Sequence, residues 1–275
     1  MQRMISRAIS SLIYETHRAV GVWERNLRIL SYHRVNEDIR EYTCISPENF
    51  NEQMDYLART GYTTLRLEDF MAHLDRPRDS NWHLIGGHPL NTPRPITLTF
   101  DDGFEDIYRY AYPVMKRHGF FGTVFCVAEK VGEKDYLNQA QIEEMSRDGF
   151  EFGSHTLTHA NLKNAGRDEK WREIVESKAV LEEMLRRPVN FFCYPYGEYD
   201  KEAVEFVAMA GYRGACSNRP GSNPMERAGN KRDGDPFLLR RTEIGAKDTL
   251  KDFKKKLVGA YDWLHAVLHA LRGRP

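Results

Sequence analysis

Residues 96–104 read ITLTFDDGF, an apolar and β-branched run with the composition of a buried strand, stopped by two adjacent carboxylates and a glycine. Two like charges at one strand end repel each other and lose hydration, so the arrangement is costly unless a cation or a proton holds it. Asp101 and Asp102 could instead cap a helix starting near Asp106, since aspartate favours helix starts, but one acidic residue would suffice for that.

Around this run, strand-like segments recur with helical patterns between them: LRILSYH (27–33), TTLRL (63–67), GTVFCVA (122–128), FEFGSH (150–155), NFFCYP (190–195), YRGACS (212–217) and LLRRTEI (238–244). Such alternation implies a mostly parallel α/β arrangement. Ser46-Pro47, followed by Phe50, Met54 and Leu57 and closed by Gly61, has the cap, first-turn proline, apolar stripe and terminal glycine of a helix. Asp168 to Arg187, ending before Pro188, repeats the pattern at greater length. Residues 76–95 and 217–236, rich in Pro, Gly and Asn, are too long for simple connections and read as active-site loops or insertions. A final helix over 249–271 mixes KDFKKK with Leu257, Tyr261, Trp263, Leu264 and Leu268, a face suited to packing on the domain or, as a minority reading, to a membrane surface.

The 275 residues suit one domain, and 40 Lys+Arg against 40 Asp+Glu leave no net field to steer a nucleic acid. Cys44, Cys126, Cys193 and Cys216 are scattered without a CxxC pair, as expected of buried thiols in a reducing compartment. The N-terminal 26 residues interrupt every apolar patch with charge, and no run approaches the ~20 apolar residues of a membrane span. These features predict a soluble, cytoplasmic protein, with peripheral membrane association as the minority reading.

After FEFGS comes HTLTH, residues 155–159. Two imidazoles four residues apart lie on one side of a helical turn and can ligate one metal. One aspartate added to them makes three protein ligands with an open position, the layout of a catalytic metal site, and leaves the other aspartate to act as general base.

TFDDG (99–103) and HTLTH together resemble the first two motifs of the NodB-homology polysaccharide deacetylases, carbohydrate esterase family four, and the likeness runs from about Leu30 to Ile244. The resemblance implies Asp101 as catalytic base, and Asp102, His155 and His159 as ligands of one divalent cation. It implies zinc, with Co, Ni, Mn or Fe compatible with the same donors. It also implies a distorted (β/α) barrel of about seven strands. Residues 1–275 then form a single catalytic domain: a core of about 95–245, the strand and helix of 27–61 in the same barrel, and the 249–271 helix.

The family's third motif, Arg-x-Pro-Tyr, is replaced here by Cys193-Tyr194-Pro195-Tyr196-Gly197, which resembles the YPYG branch that includes the poly-N-acetylglucosamine deacetylases. Pro195 and Tyr196 carry over as pocket wall and oxyanion amide donor, while the arginine that orients the base is missing from its place. Tyr32-His33-Arg34-Val35 resembles the branch's N-terminal signature and implies His33 as general acid. His265 and His269 read as a packing face.

The implied activity is metal-dependent hydrolysis of the N-acetyl group of an amino sugar in an oligo- or polysaccharide or its biosynthetic precursor. The rivals are a deformylase or deacetylase of a lipid-linked sugar, a degenerate saccharide-binding protein without turnover, and a glycosidase. The last needs carboxyls about 5 Å apart across a bond, poorly met by adjacent residues.

Overall fold

The strand predicted at 96–100 extends over Arg94–Phe100 and is paired along both edges. The computed structural model describes residues 9–13, 26–75, 84–85, 88–89, 94–225 and 234–262. The strands are β1 (Asn26–Tyr32), β2 (Tyr62–Thr64), β3 (Arg94–Phe100), β4 (Thr123–Cys126), β5 (Glu151–Ser154), β6 (Phe191–Cys193), β7 (Gly214–Cys216) and β8 (Thr242–Glu243). All eight run parallel, and seven of them form the row β7-β6-β5-β4-β3-β1-β8, in agreement with the expected number. β2 adds to the first half of β3 on the edge that β4 uses for its second half.

The helices are α1 (Pro47–Arg59), α2 (Leu67–Asp75), α3 (Tyr112–Arg117), α4 (Gln139–Arg147), α5 (Arg167–Leu185), α6 (Lys201–Met209) and α7 (Leu250–Leu257). α1 has the expected ends: Ser46 Oγ accepts from Asn49 N at 3.2 Å, Pro47 opens the first turn, and Gly61 leaves it at φ 76°. α5 stops at Leu185 because Arg186 turns left-handed (φ 52°) and Pro188 disfavours helix at the residue before it. The run TTLRL divides: strand ends at Thr64, and Leu67 begins α2, whose first amides donate to the half-buried Glu151 carboxylate at 3.2 Å each.

Alternate strand residues enter two apolar clusters, as the period of two requires. Leu27, Ile29, Phe125, Phe191, Cys193, Cys216 and Leu239 fill the barrel interior, whereas Leu30, Tyr32, Ile96, Leu98, Phe100, Val124 and Phe192 pack outward beneath the helices. Residues 236–243 close the ring. Ala215 N donates to Pro236 O and Ser217 N to Leu239 O, each at 2.9 Å, beside β7, after which β8 pairs with β1. This segment carries Arg241 to the interior.

Within 76–95, Leu84–Ile85 and His88–Pro89 pair antiparallel, and Arg94 begins β3; the other residues of that stretch lie outside the described residues. Within 217–236, Asn223–Pro224 pairs antiparallel with the start of β1. Of the predicted final helix, Leu250–Leu257 is helical behind a Thr249 capping box, while Trp263, Leu264, His265, Leu268 and His269 lie outside the described residues.

Candidate active site

The parallel strands deliver their C-terminal ends to one mouth of the barrel, where α/β sites form. Asp101 follows β3, His33 follows β1, His155 follows β5 and Tyr194 follows β6. The next residue along from Tyr32 is joined to this mouth because Asp101 N donates to Tyr32 O at 2.9 Å, continuing the β1/β3 ladder.

Asp101 is buried and meets a partner absent from the motif reading. Arg241 donates from Nη1 to Asp101 Oδ1 at 2.6 Å and from Nη2 to Oδ2 at 2.8 Å. The same guanidinium reaches Thr99 Oγ1, Asn218 Oδ1, the Ser217 carbonyl and Cys193 Sγ at 2.8–3.2 Å, so it too is held in place. Gly197 permits this: a Cβ there would stand 2.5 Å from Asn218 Cβ. Burial raises the Asp101 pKa, but the adjacent guanidinium outweighs it and leaves the carboxyl well below its ordinary value. Asp101 is therefore an ionised carboxylate fixed in direction. The arginine missing at Cys193 is supplied from the closing segment, and its guanidinium lies against the Cys193 thiol. Its signal in the sequence is Arg241 itself, a charge inside a strand-like run, where a buried guanidinium requires a partner.

Asp102 turns the other way. Its φ is 71° and that of Gly103 is 76°; a Cβ on Gly103 would lie 3.2 Å from Cys126 Sγ, so the turn depends on this glycine. Asp102 Oδ1 lies 3.5 Å from His155 Nε2 and 3.2 Å from His159 Nε2. His155 Nδ1 is 2.8 Å from the Cys193 carbonyl, an acceptor only, so Nδ1 carries the proton and the Nε2 lone pair faces Asp102. Burial lowers the His155 pKa against the pull of Asp101 and Asp102, favouring the neutral ligating form. The three donor groups fit a divalent cation with ligands of mixed N and O type. A second grouping of Asp101, His155 and Cys193 fits less well: Asp101 is committed to Arg241, and burial pushes the Cys193 thiol far up.

The helical turn expected for HTLTH is not formed. Residues 155–159 are a loop in which Thr156 (φ 67°) and His159 (φ 70°) are left-handed, and His159 N donates to Thr156 Oγ1 at 2.9 Å. The loop brings the imidazole centroids to 4.9 Å. Among the described residues, six non-glycine residues have positive φ, and four of them, Asp102, Thr156, His159 and Tyr196, border this cluster. The helix-cap reading of the aspartate pair also fails. The residue at the cap position is Asp106, which accepts instead from Arg34 Nε at 2.7 Å.

That Arg34–Asp106 pair fastens the His33 loop to the aspartate loop. His33 Nε2 stands 3.8 Å from Asp101 Oδ2. Tyr196, 63% exposed, places its ring 4.7 Å from His159 and its hydroxyl 3.1 Å from His159 Nδ1, while Pro195 beside it is buried. The sequence-predicted site residues thus converge on one mouth, joined by Arg241 and Asn218, which the motifs did not name.

Residues 90–215 match the family described as polysaccharide deacetylase. YxkH of Bacillus subtilis, named among polysaccharide deacetylases, is 27% identical over 218 residues, covering 79% of this chain and 71% of its own. The poly-β-1,6-N-acetyl-D-glucosamine N-deacetylase of Staphylococcus aureus is 23% identical over 219 residues, covering 69% of this chain and 71% of its own. The fold is shared with the Streptococcus pyogenes deacetylase PplD, solved in complex with acetate, at a TM-score of 0.71 and 22% identity over 84% of this chain and 98% of that one.

Proposed function

We propose, from the match of residues 90–215 to the polysaccharide deacetylase family, that this chain hydrolyses the N-acetyl group of an amino sugar in an oligo- or polysaccharide or its biosynthetic precursor. The observation that carries this reading is the division of labour between neighbouring carboxylates: Asp101 is paired with Arg241 at 2.6 and 2.8 Å, while Asp102 faces two imidazoles at 3.5 and 3.2 Å.

Asp102, His155 and His159 would hold the divalent cation, zinc by its donor set, with Co, Ni, Mn or Fe also suited. When bound, the cation supplies Lewis acidity toward an amide carbonyl and lowers the pKa of water. Asp101, kept ionised and aimed by Arg241, takes the proton of the attacking water. His33 protonates the departing amine, because an amide nitrogen leaves poorly as an anion. Pro195 and Tyr196 wall the mouth, and a backbone N–H at Tyr196 serves the developing oxyanion, a contribution of about 3–4 kcal/mol per donor in other amide-cleaving enzymes. The saccharide is thus the partner. The reading treats residues 1–275 as one catalytic domain acting in the cytoplasm; among the described residues no helix is long and apolar enough to cross a membrane.

Acetate release from N-acetylglucosamine oligomers, measured beside bound metal, tests the proposal. Wild type is expected to hold metal and release acetate, and Asp101→Asn to hold as much metal while releasing it about 10²–10⁴ times more slowly. Metal-loaded wild type that releases no acetate from any amino sugar would instead indicate a saccharide-binding role, and formate from a formamido sugar a deformylase.

A further inference from the structure

The metal-facing loop has one attachment that the reaction does not use. Glu173, in the middle of α5, is fully buried, yet among the described residues no Lys or Arg lies within hydrogen-bonding distance of its carboxylate; Arg172 Nη2 is 3.7 Å away. Its Oε2 accepts from Leu157 N at 3.0 Å and Thr158 N at 2.9 Å, and its Oε1 accepts from Thr158 Oγ1 at 2.9 Å. One helical turn further, Ser177 Oγ lies 2.8 Å from Ser154 Oγ, just before His155. α5 therefore grips the loop immediately before His155 and again between His155 and His159.

The opposite side of the loop is equally accounted for. His155 N donates to Cys126 O at 2.8 Å, Ala128 N to Thr156 O at 3.1 Å and Glu129 N to Leu157 O at 3.0 Å. The Thr156 and Leu157 carbonyls are thus bound by the segment after β4, and the Leu157 and Thr158 amides by Glu173. Leu157 N has a second acceptor in the Glu173 main-chain carbonyl at 3.1 Å, but without the carboxylate Thr158 N would lose its partner, and two left-handed residues, Thr156 and His159, would lose what offsets their strain. The loop could relax by rotating its backbone, and His159 would swing from Asp102.

We propose that Glu173 is a positioning residue of the metal centre, a buried template whose carboxylate shapes the 157–158 backbone so that His155 and His159 face the same point. This rests on the metal-centre reading above. What matters is acceptor position, not charge: a glutamine of equal length offers a carbonyl to the two amides, and Thr158 Oγ1 can turn to accept from its NH2, whereas an aspartate keeps the charge one methylene short.

Zinc affinity of wild type, Glu173→Gln and Glu173→Asp, measured by competition with a chromophoric chelator, separates these cases. Groups that orient metal ligands typically contribute about 10- to 100-fold in metal affinity. The expected result is a loss of that size for Glu173→Asp with Glu173→Gln near wild type, whatever the variants' melting temperatures. Unchanged affinity in Glu173→Asp, or a loss confined to Glu173→Gln, overturns the proposal while leaving the metal centre intact. A wild type that binds no zinc overturns both.

Discussion

Arg241 grips Asp101 through two parallel hydrogen bonds, Nη1 to Oδ1 at 2.6 Å and Nη2 to Oδ2 at 2.8 Å, across 140 residues of sequence and inside the barrel. Removing one member of a buried ion pair strands the other, at a cost of about 3–5 kcal/mol. Arg241→Met is therefore expected to lower unfolding free energy by that amount in urea titrations and to reduce kcat while zinc still binds. Arg241→Lys, lacking the planar fork, should recover stability only in part. A variant of unaltered stability and rate would show that the pair neither holds nor aims the base.

His33→Ala is expected to slow acetate release about 10²–10⁴-fold with metal content unchanged. The deficit should shrink on an activated anilide whose leaving group needs no proton. Equal deficits on both substrates would remove His33 from the role of general acid.

Chelation should abolish activity, and zinc should restore it. Ligand binding to the folded state alone adds stability with the logarithm of ligand concentration over Kd, about 2.7 kcal/mol at one hundred times Kd. Wild type should show that increment in thermal unfolding with zinc, and His159→Ala should show almost none. A zinc-dependent shift retained in His159→Ala would place the ion elsewhere.

Glu151 makes stability depend on pH from the far end of the barrel. Burial pushes its carboxyl up from 4.5 to about 7, against hydrogen bonds from Thr123 Oγ1 and the amides of Leu67 and Glu68. Between those two values the folded state binds more protons than the unfolded chain, so this group's contribution is fully present below pH 4.5, falls as pH rises, and is gone above about 7. The change is about 3 kcal/mol by the free energy of a pKa shift. Urea unfolding at intervals across this window should show the stability of Glu151→Gln relative to wild type rising with pH. A parallel pair of curves would mean that Glu151 ionises normally.

Much of this site was legible because it is written at strand ends. Each predicted run contains a strand, although that of TTLRL ends at Thr64, and TFDDG, HTLTH and YHRV fall where strands stop, since apolar runs and their terminators are local signals. What escaped was not local. Arg241 is brought to Asp101 by barrel closure, which no spacing in the chain announces. The four-residue histidine spacing suited a helical turn, yet a loop with left-handed Thr156 and His159 satisfies it equally, and neither residue type advertises positive φ. Glu173 sits in WREIVES, where a glutamate reads as an ordinary solvated helix charge until the loop above it is seen.

Closure of the ring by residues 236–243 ties the order of assembly to the onset of chemistry. A chain built only as far as β7 already contains the aspartates and both histidines but lacks Arg241, the guanidinium that accompanies Asp101 into the interior. Burying that carboxylate alone is prohibitive, so the mouth must stay hydrated or protonated until the final strand arrives. Docking of 236–243 then completes the barrel and gives the Asp101 carboxylate its guanidinium partner in one event. Residues 236–243 act as a latch: the mouth is complete only once this segment has docked beside β7 and β1.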